Sequence, residues 1–555
     1  VPATPGTALD TEALRTHIAA ALPDYMVPSA FVPLEQLPLT VNGKLDRKQL
    51  PAPEFTGTAR GRQPVGTAEE VLCGIFRDLL GLESVSVEDG FFELGGDSIV
   101  SIQLVSRARK AGLVFTARDV FTHRTPEALA AVATTADVLP TEEAGAGLGP
   151  VPETPIVGWL REVDGPIDGF NQAMLVRTPA AATFERLADA LQTVLDHHDV
   201  LRARLVRGAD AWNLDVPAAG AVRATDVLRR AEGADLAAEA RAAQLRLAPD
   251  AGVMLQAVWF EDTARLLVMA HHLVVDGVTW RILLPDLAHA YEGTALEPVP
   301  TSFRRWAQQL TALDRSSELP LWHAQFDGYD GGDGGDAPLA VLDPAVHTAA
   351  TARHLNLTLP SDVTTALLTD TAARFRATVN DVLLTAFALA VNAWRPGRGT
   401  GVLVDLEGHG RENVVEHADT TRTAGWFTSM FPVRLDPGAP GDPGRALKAV
   451  KEQLHALPDN GVGYGLLRYS TAGGALADAP RPQFGFNYLG RFAAAGEDTD
   501  WALCTDADLG DGRDPAMPLA HAVDLNAATL DTAEGPQLTA DWSWPDGLLT
   551  EERVR

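Results

Sequence analysis

Two stretches crowded with proline and glycine, at 51–64 (Pro51, Pro53, Gly57, Gly61, Pro64) and at 140–155 (which contains GAGLGPVPETP), offer almost nothing that can pack, and they divide the chain into pieces that must each bury a core of their own. With 555 residues, 46% apolar and 21% charged, there is material for several cores, and domains of roughly 150 residues make three or four folding units the expectation. A third loose segment, GYDGGDGGDAP at 328–338, is too rich in Gly and Asp for a core and separates two long ordered blocks, so it is expected to join two lobes of one domain.

Charge narrows the choice of partner. Forty-five Lys plus Arg against 74 Asp plus Glu give a formal net charge of −29, which argues against nucleic acid or an anionic membrane as the main partner. Cys73 and Cys504 are too few for a disulfide framework and lack the spacing of a zinc cluster, so a reducing cytoplasm and no metal are expected. No apolar run approaches the roughly 20 residues of a membrane span, and no charged segment followed by an apolar one opens the chain. The start Val-Pro-Ala-Thr-Pro and the end WSWPDGLLTEERVR read as cuts within a longer polypeptide.

The piece between the first two linkers is a small helical bundle. Thr67 is expected to cap a helix in which Val71, Leu72, Ile75, Phe76, Leu79 and Leu80 recur at helical spacing, with Gly81 as its stop. In GFFELGGDSIVSIQLVSRARKAG, Gly95 and Gly96 allow a tight turn, and Asp97 or Ser98 opens a second helix ending near Gly112. A last helix begins at Thr125-Pro126-Glu127, with a cap and a proline at its first position. Ser98 alone reads as an ordinary helix cap. The string around it, FFELGGDSIVSIQLV, closely resembles the attachment motif of peptidyl carrier proteins. That resemblance implies that the Ser98 hydroxyl carries 4'-phosphopantetheine, installed by a separate phosphopantetheinyl transferase. A helix start is a sensible seat for the phosphodiester, because backbone N–H groups and the dipole favour negative charge there.

Upstream, ALPDYMVPSAFVPLEQLPLTVNGKLDRKQL at 21–50 resembles the end of the small C-terminal subdomain of adenylation domains. By that resemblance Lys44 contacts the acyl-adenylate, whereas by itself a lysine in an Asn-Gly-Lys turn is a solvated turn residue. The large adenylation subdomain falls outside the chain, so adenylation is expected to be absent.

Beyond the second linker the pattern alternates. A helix-like stretch from Ala182 to about Leu205 precedes β-rich MLQAVWFED and ARLLVMAHH, which run into HHLVVDGVTW at 271–280 and then a helical period in TWRILLPDLAHAYEG. Helices from about Ser361 and across NDVLLTAFALAVNAW precede the strand GVLVDLEGHGRE at 401–412. Adjacent histidines on a strand point to opposite faces and do not easily hold one metal ion, so one of His271 and His272 faces inward.

HHLVVDG resembles the HHxxxDG signature of the condensation superfamily, which includes condensation, epimerization and cyclization domains and is related to chloramphenicol acetyltransferases. The resemblance implies two α/β lobes in a V with the active site in a tunnel between them; His272 is then catalytic, and His271, Asp276 and Gly277 are structural. PIVGWL at 155–160, EGHGRE at 407–412, RTAGWFTSMFPVRL at 422–435, GVGYG at 461–465 and FGFNYLGRF at 484–492 resemble the epimerization set, in order. PIVGWL departs from the usual opening, which has Gln before Gly-Trp and an aromatic after it. The implied layout is a fragment of a nonribosomal peptide synthetase: a partial α+β adenylation subdomain at 1–55, an α-helical carrier at 64–139, a linker at 140–152, and a two-lobed epimerization domain at 153–555 with lobes at about 153–327 and 339–555.

Inverting an α-carbon needs a base on one face and a proton donor on the other, with the transient negative charge spread onto the thioester oxygen. The resemblance puts His272 and Glu407 in these roles, on opposite lobes, without assigning which acts first from L to D. A histidine titrates in the useful range unaided; Glu407 needs its pKa raised by a partly apolar tunnel. Asn487 and Tyr488 match positions lining the family's site, where Tyr488 can hydrogen-bond the enolate oxygen or return the proton. Considered singly, Glu407 reads as a strand-end charge paired with Arg411, and Tyr488 as a core tyrosine with a satisfied hydroxyl. His197, His198 and His409 read as structural, Trp426 and Phe427 as core. Three function classes stay open: an epimerase of an aminoacyl or peptidyl thioester; an amide-forming condensation-type acyltransferase, which shares His272 but needs no opposing carboxylate; and a carrier and docking scaffold. The partners implied are an upstream adenylation domain and a downstream condensation domain.

Overall fold

The computed structural model describes residues 62–555 except 63, 83, 93, 97, 136–141, 144, 232–234, 328, 330–338, 340–341, 396–399, 440, 470–473, 493–498, 505–506, 508 and 533. The adenylation-like segment 1–55, Lys44 within it, and most of 328–338 lie outside the described residues.

The carrier begins with α1 (Thr67–Leu80), which turns Leu72, Cys73 and Phe76 inward and stops at Gly81, whose φ of 66° suits glycine. Its N-cap is Gly66 rather than Thr67, which is the first helical residue. The carboxylate of Glu69 reaches back past the cap instead, accepting from the Val65 N–H at 2.7 Å while Arg62 holds it from outside. The helix α2 (Ser98–Lys110) follows a turn in which Gly95 has φ 96° and Gly96 lies against Phe91 so closely that a Cβ would come within 2.5 Å of the ring. A short strand β1 (Leu113–Val114), α3 (Ala117–His123), α4 (Pro126–Val132) and β2 (Thr134–Thr135) complete the unit, with β1 and β2 antiparallel. Thr125 caps α4 by accepting from the Ala128 N–H, and Pro126 fills its first position. Leu72, Phe76, Phe91, Leu104, Val120 and Leu129 make the core, with Phe76 edge-on to Phe91 at 5.1 Å.

The first lobe runs through β3 (Gly149–Val151), α5 (Pro155–Val163), β4 (Asn171–Arg177), α6 (Phe184–His197), β5 (Arg204–Arg207), β6 (Trp212–Val216), β7 (Leu228–Arg230), β8 (Leu255–Phe260), β9 (Arg265–His271), α7 (Gly277–Glu292) and α8 (Phe303–Thr311). The strands form a sheet in the order β4-β9-β8-β7 and a smaller one in the order β3-β6-β5. Both faces of β8 are covered, and all six of its residues are buried, which accounts for its unbroken apolar run. The helix read from Ala182 to Leu205 is shorter: α6 ends at His197, and a 3-10 turn at Asp199–Arg202 leads into β5. Buried Arg202 donates to the carbonyls of Leu195 and Asp196 and so closes the helix end.

The second lobe holds β10 (Ala352–Thr358), α9 (Val379–Trp394), β11 (Val402–Gly408), β12 (Ser429–Leu435), α10 (Pro443–His455), α11 (Val462–Tyr469), β13 (Phe484–Phe492), β14 (Val523–Thr532) and β15 (Gly535–Pro545). Its six strands lie in the order β10-β15-β14-β13-β11-β12, with β11, β13 and β14 mutually parallel and the outer pairs antiparallel. Side chains alternate between the faces of this sheet. Val404, Leu406, Phe484, Phe486, Val523 and Leu525 enter the lobe's own core, so Asp405, Glu407, Gly485, Asn487, Asp524 and Asn526 share the other face. Met430, opposite Glu407 across β11 and β12, packs on the first lobe's core, which locates that other face toward the first lobe. Trp426, Phe427, Val462 and Leu466 are built into the first lobe's core, so the two lobes share apolar contacts. Among the described residues no helix is long and apolar enough to cross a membrane.

Candidate active site

His271 is the last residue of β9 and His272 the first of a 3-10 turn, so the change of backbone direction falls between them. His271 is fully buried, its Nε2 2.8 Å from the Ile167 carbonyl and its Nδ1 accepting from the Leu273 N–H at 3.2 Å. One nitrogen donates and the other accepts, which is the neutral ring; burial pushes its pKa down to about 3. His271 thereby pins the turn that presents His272.

The His272 ring lies flat against Phe170 at 4.9 Å and tilted by 45° against Trp426 at 4.5 Å. Its Nε2 is 2.9 Å from the side-chain nitrogen of Gln172 on β4. Trp280 on α7 settles the orientation of that amide, because its indole N–H, which can only donate, meets the Gln172 oxygen at 2.8 Å. The Gln172 NH2 therefore donates to His272, whose Nε2 carries the lone pair. Burial, against the pull of nearby backbone carbonyls and Asp276, lowers its pKa to about 4, and the ring is neutral at physiological pH.

Asp276 caps α7, accepting from the Thr279 N–H at 2.7 Å, and it also accepts from the Phe427 N–H at 3.1 Å and the Arg411 guanidinium at 3.2 Å. Arg411 also donates to the Thr420 and Thr423 carbonyls and lies 3.8 Å over the Phe427 ring. Sequence proximity suggests Arg411 as the partner of Glu407; the structure gives it to Asp276, since the chain turns sharply after β11 at Gly410, where φ is 65°. Gly277 opens α7 with open space where a side chain would stand.

Glu407 sits near the end of β11 and is exposed, on the face of the second lobe's sheet turned toward the first lobe. Asn487 on the neighbouring strand donates to it at 2.9 Å. The surrounding bulk of protein, with Asp524 and Asp405 behind it and His521 opposing them, raises its pKa to about 7. Tyr488, one residue on from Asn487, necessarily occupies the opposite face, where it packs on the second lobe's core with its hydroxyl 2.9 Å from Thr529. Glu407 and Asn487 are thus brought together and Tyr488 is set apart from them.

Ser98 is the first residue of α2, whose first turn contains no acidic residue. The carrier rests on the second lobe. A Cβ at Gly95 would lie 2.8 Å from the guanidinium of Arg491, on the strand that bears Asn487, and Arg109 at the far end of α2 pairs with Asp419 at 2.5 Å. Gln172, Trp280, His521, Asp405 and Asp524 were not singled out by sequence. Gln172 does leave a trace, as a polar residue at the start of the otherwise largely apolar β4.

A family model described as "Condensation domain" matches residues 160–502, and one described as "Phosphopantetheine attachment site" matches 70–133. Chondramide synthase cmdD of Chondromyces crocatus is 39% identical over 568 residues, covering 98% of this chain, and a linear gramicidin synthase of Brevibacillus parabrevis is 38% identical over 590 residues, covering 99%. The chain spans 14% and 7% of the lengths of these two relatives respectively. Among solved structures, the epimerization domain from the third module of tyrocidine synthetase B has a TM-score of 0.65 at 28% identity, covering 74% of this chain and 95% of that one. The condensation domain from the Monacolin K polyketide synthase MokA, at 18% identity and a TM-score of 0.57 over 73% of this chain and 94% of that one, shares the fold.

Proposed function

This chain belongs to the condensation-domain family and joins such a domain to a carrier bearing covalent 4'-phosphopantetheine, and from that premise we propose that it epimerizes the α-carbon of an aminoacyl or peptidyl thioester in nonribosomal peptide assembly. The prosthetic group, on Ser98 in this reading, supplies a flexible tether and an activated thioester. The approach of Gly95, three residues before Ser98, to Arg491 of β13 supports delivery of the tether on the side of the second lobe that bears Asn487. The layout accompanying this proposal is that read from sequence, with a partial adenylation subdomain at 1–55, the carrier at 64–139 and the epimerization domain at 153–555, corrected at one point: Gly149–Val151, read as linker, pairs with β6 and buries Val151 in the first lobe's core, so the domain begins before 153.

The observation that carries the proposal is the pair of opposed titrating groups: a neutral imidazole with its lone pair at Nε2 in the first lobe, and a carboxyl poised near neutral pH on the face of the second lobe's sheet turned toward it. With pKa values of about 4 and about 7, a proton shared between them resides on Glu407. His272 then takes the α-proton of the L substrate at Nε2 as Gln172 yields, and Glu407 delivers its proton from the other face; the D substrate runs the steps in reverse. Amide formation would use His272 in the same family fold, but it leaves the raised Glu407 without work. The likeness to the tyrocidine synthetase epimerization domain supports the same choice.

The test is to load Ser98 with an L-aminoacyl-phosphopantetheine in deuterated buffer, release it, and assay chirality and α-deuterium, with His272→Ala and Glu407→Gln alongside. A D/L mixture carrying α-deuterium, lost or strongly slowed in both variants, is expected. Retained L configuration without exchange across several amino acids and a dipeptide overturns epimerization. Upstream adenylation, a downstream condensation domain and a phosphopantetheinyl transferase are the partners this function requires.

A further inference from the structure

Beneath Glu407, on the same face of the second-lobe sheet, lies a layer of charge that the proposed acid/base pair does not itself use. Asp405 on β11, Gly485 on β13 and Asp524 on β14 stand side by side in register, two residues before Glu407, Asn487 and Asn526 on the same strands. Gly485 leaves a gap between the two aspartates. A Cβ there would collide with the Asp524 carboxylate and come within 2.6 Å of the His521 ring, which fills the space. His521 is 6% exposed; its Nδ1 is 2.7 Å from Asp524 and its Nε2 2.9 Å from Asp405. With a carboxylate on each nitrogen, both nitrogens donate, so the ring is the imidazolium.

We propose that His521 is a positioning residue for Glu407: clamped between Asp405 and Asp524, its positive charge offsets one of the two negative charges beneath Glu407, so that this carboxyl can both hold and release its proton. That role rests on the acid/base function proposed for Glu407. The two carboxylates outweigh desolvation and raise the His521 pKa to about 10, so the charge persists through the working range. The other charged and titratable groups nearby are already engaged. Arg513, which acts on Asp524 at a distance, is paired with Asp511; Tyr464 on α11, within reach of Asp405, is bonded by Arg468; Asp541 on β15, across from Asn526, is held by His354. Losing His521 leaves two negative charges in the layer, and losing Asp524 leaves none in excess.

The test follows the protonated-carboxyl infrared band that is absent from Glu407→Gln, against pH, in the full chain and in His521→Gln and Asp524→Asn, together with α-deuterium exchange and thermal melts. The Glu407 midpoint is expected to rise by roughly one pH unit in His521→Gln and to fall by about as much in Asp524→Asn. Opposite shifts cannot arise from a general loosening of the sheet. Unchanged midpoints in both, with only slower exchange, overturn the proposal. If His521→Gln fails to fold, Asp524→Asn decides alone, and an unchanged midpoint there overturns it. A wild type that titrates as expected but exchanges no deuterium refutes the epimerase reading and not the charge layer.

Discussion

The side-chain amide of Gln172 donates to Nε2 of His272 across 2.9 Å, and the indole of Trp280 prevents that amide from turning over. The lone pair proposed to take the substrate's proton is therefore met by a donor in the free protein, which favours the neutral ring. Gln172→Glu would place a carboxylate at the same position and favour the charged ring instead. The acidic limb of the exchange rate against pH, set in the wild type by a pKa of about 4, is expected to move up by roughly one unit or more, with slower exchange at neutral pH. An unchanged limb would show that Gln172 does not govern the protonation of His272.

Glu407 sets the opposite limb. Its carboxyl, raised to about 7, must be protonated to deliver a proton to the D face, so exchange from L substrate falls as pH climbs through that value. Glu407→Gln cannot deliver it and is expected to lose about 100-fold in rate. Asn487→Ala removes a hydrogen bond that favours the ionised carboxylate, so its alkaline limb should move to higher pH. Rate-against-pH profiles of the three proteins check both statements.

What was legible in the sequence is what local chemistry determines. Gly81, Thr125 and Pro126 mark helix ends because caps and φ preferences act over a few residues, and the HHLVVDG and EGHGRE strings sit where strands end for the same reason. Partnerships across the fold were not legible. Arg411 is four residues from Glu407 yet pairs with Asp276, 135 residues away, because the turn at Gly410 carries it toward the other lobe. His521 meets Asp405 across 116 residues, through a register of parallel strands that side-chain type does not encode. Asn487 and Tyr488 look like one motif and occupy opposite faces, a difference that strand period alone could have exposed.

Asp276 and Arg411 bind the lobes and not the substrate. Their side chains are 5% exposed and fully buried respectively, and Asp276 also holds two backbone N–H groups. Asp276→Ala leaves the Arg411 charge buried without its carboxylate and removes the cap of α7, so a loss of about 3 kcal/mol or more is expected. Denaturant unfolding of the folded fraction measures it. A cost near zero would mean that water reaches Arg411.

The carrier's seat tests how the substrate is delivered. Arg109 pairs with Asp419 at 2.5 Å, with only 6% of the Asp419 side chain exposed, so the contact is largely shielded from solvent screening. Arg109→Glu sets like charges against each other at that place and should disfavour the docked carrier, slowing epimerization of the tethered substrate by roughly tenfold. It leaves His272 and Glu407 untouched, so a soluble aminoacyl-pantetheine thioester that needs no docking should exchange its α-proton at the wild-type rate. Reversing the pair, with Asp419→Arg added, should recover much of the loss on the tethered substrate. Slowing of both substrates alike would place the defect in the catalytic domain, and slowing of neither would mean that Arg109 contributes nothing to docking in solution.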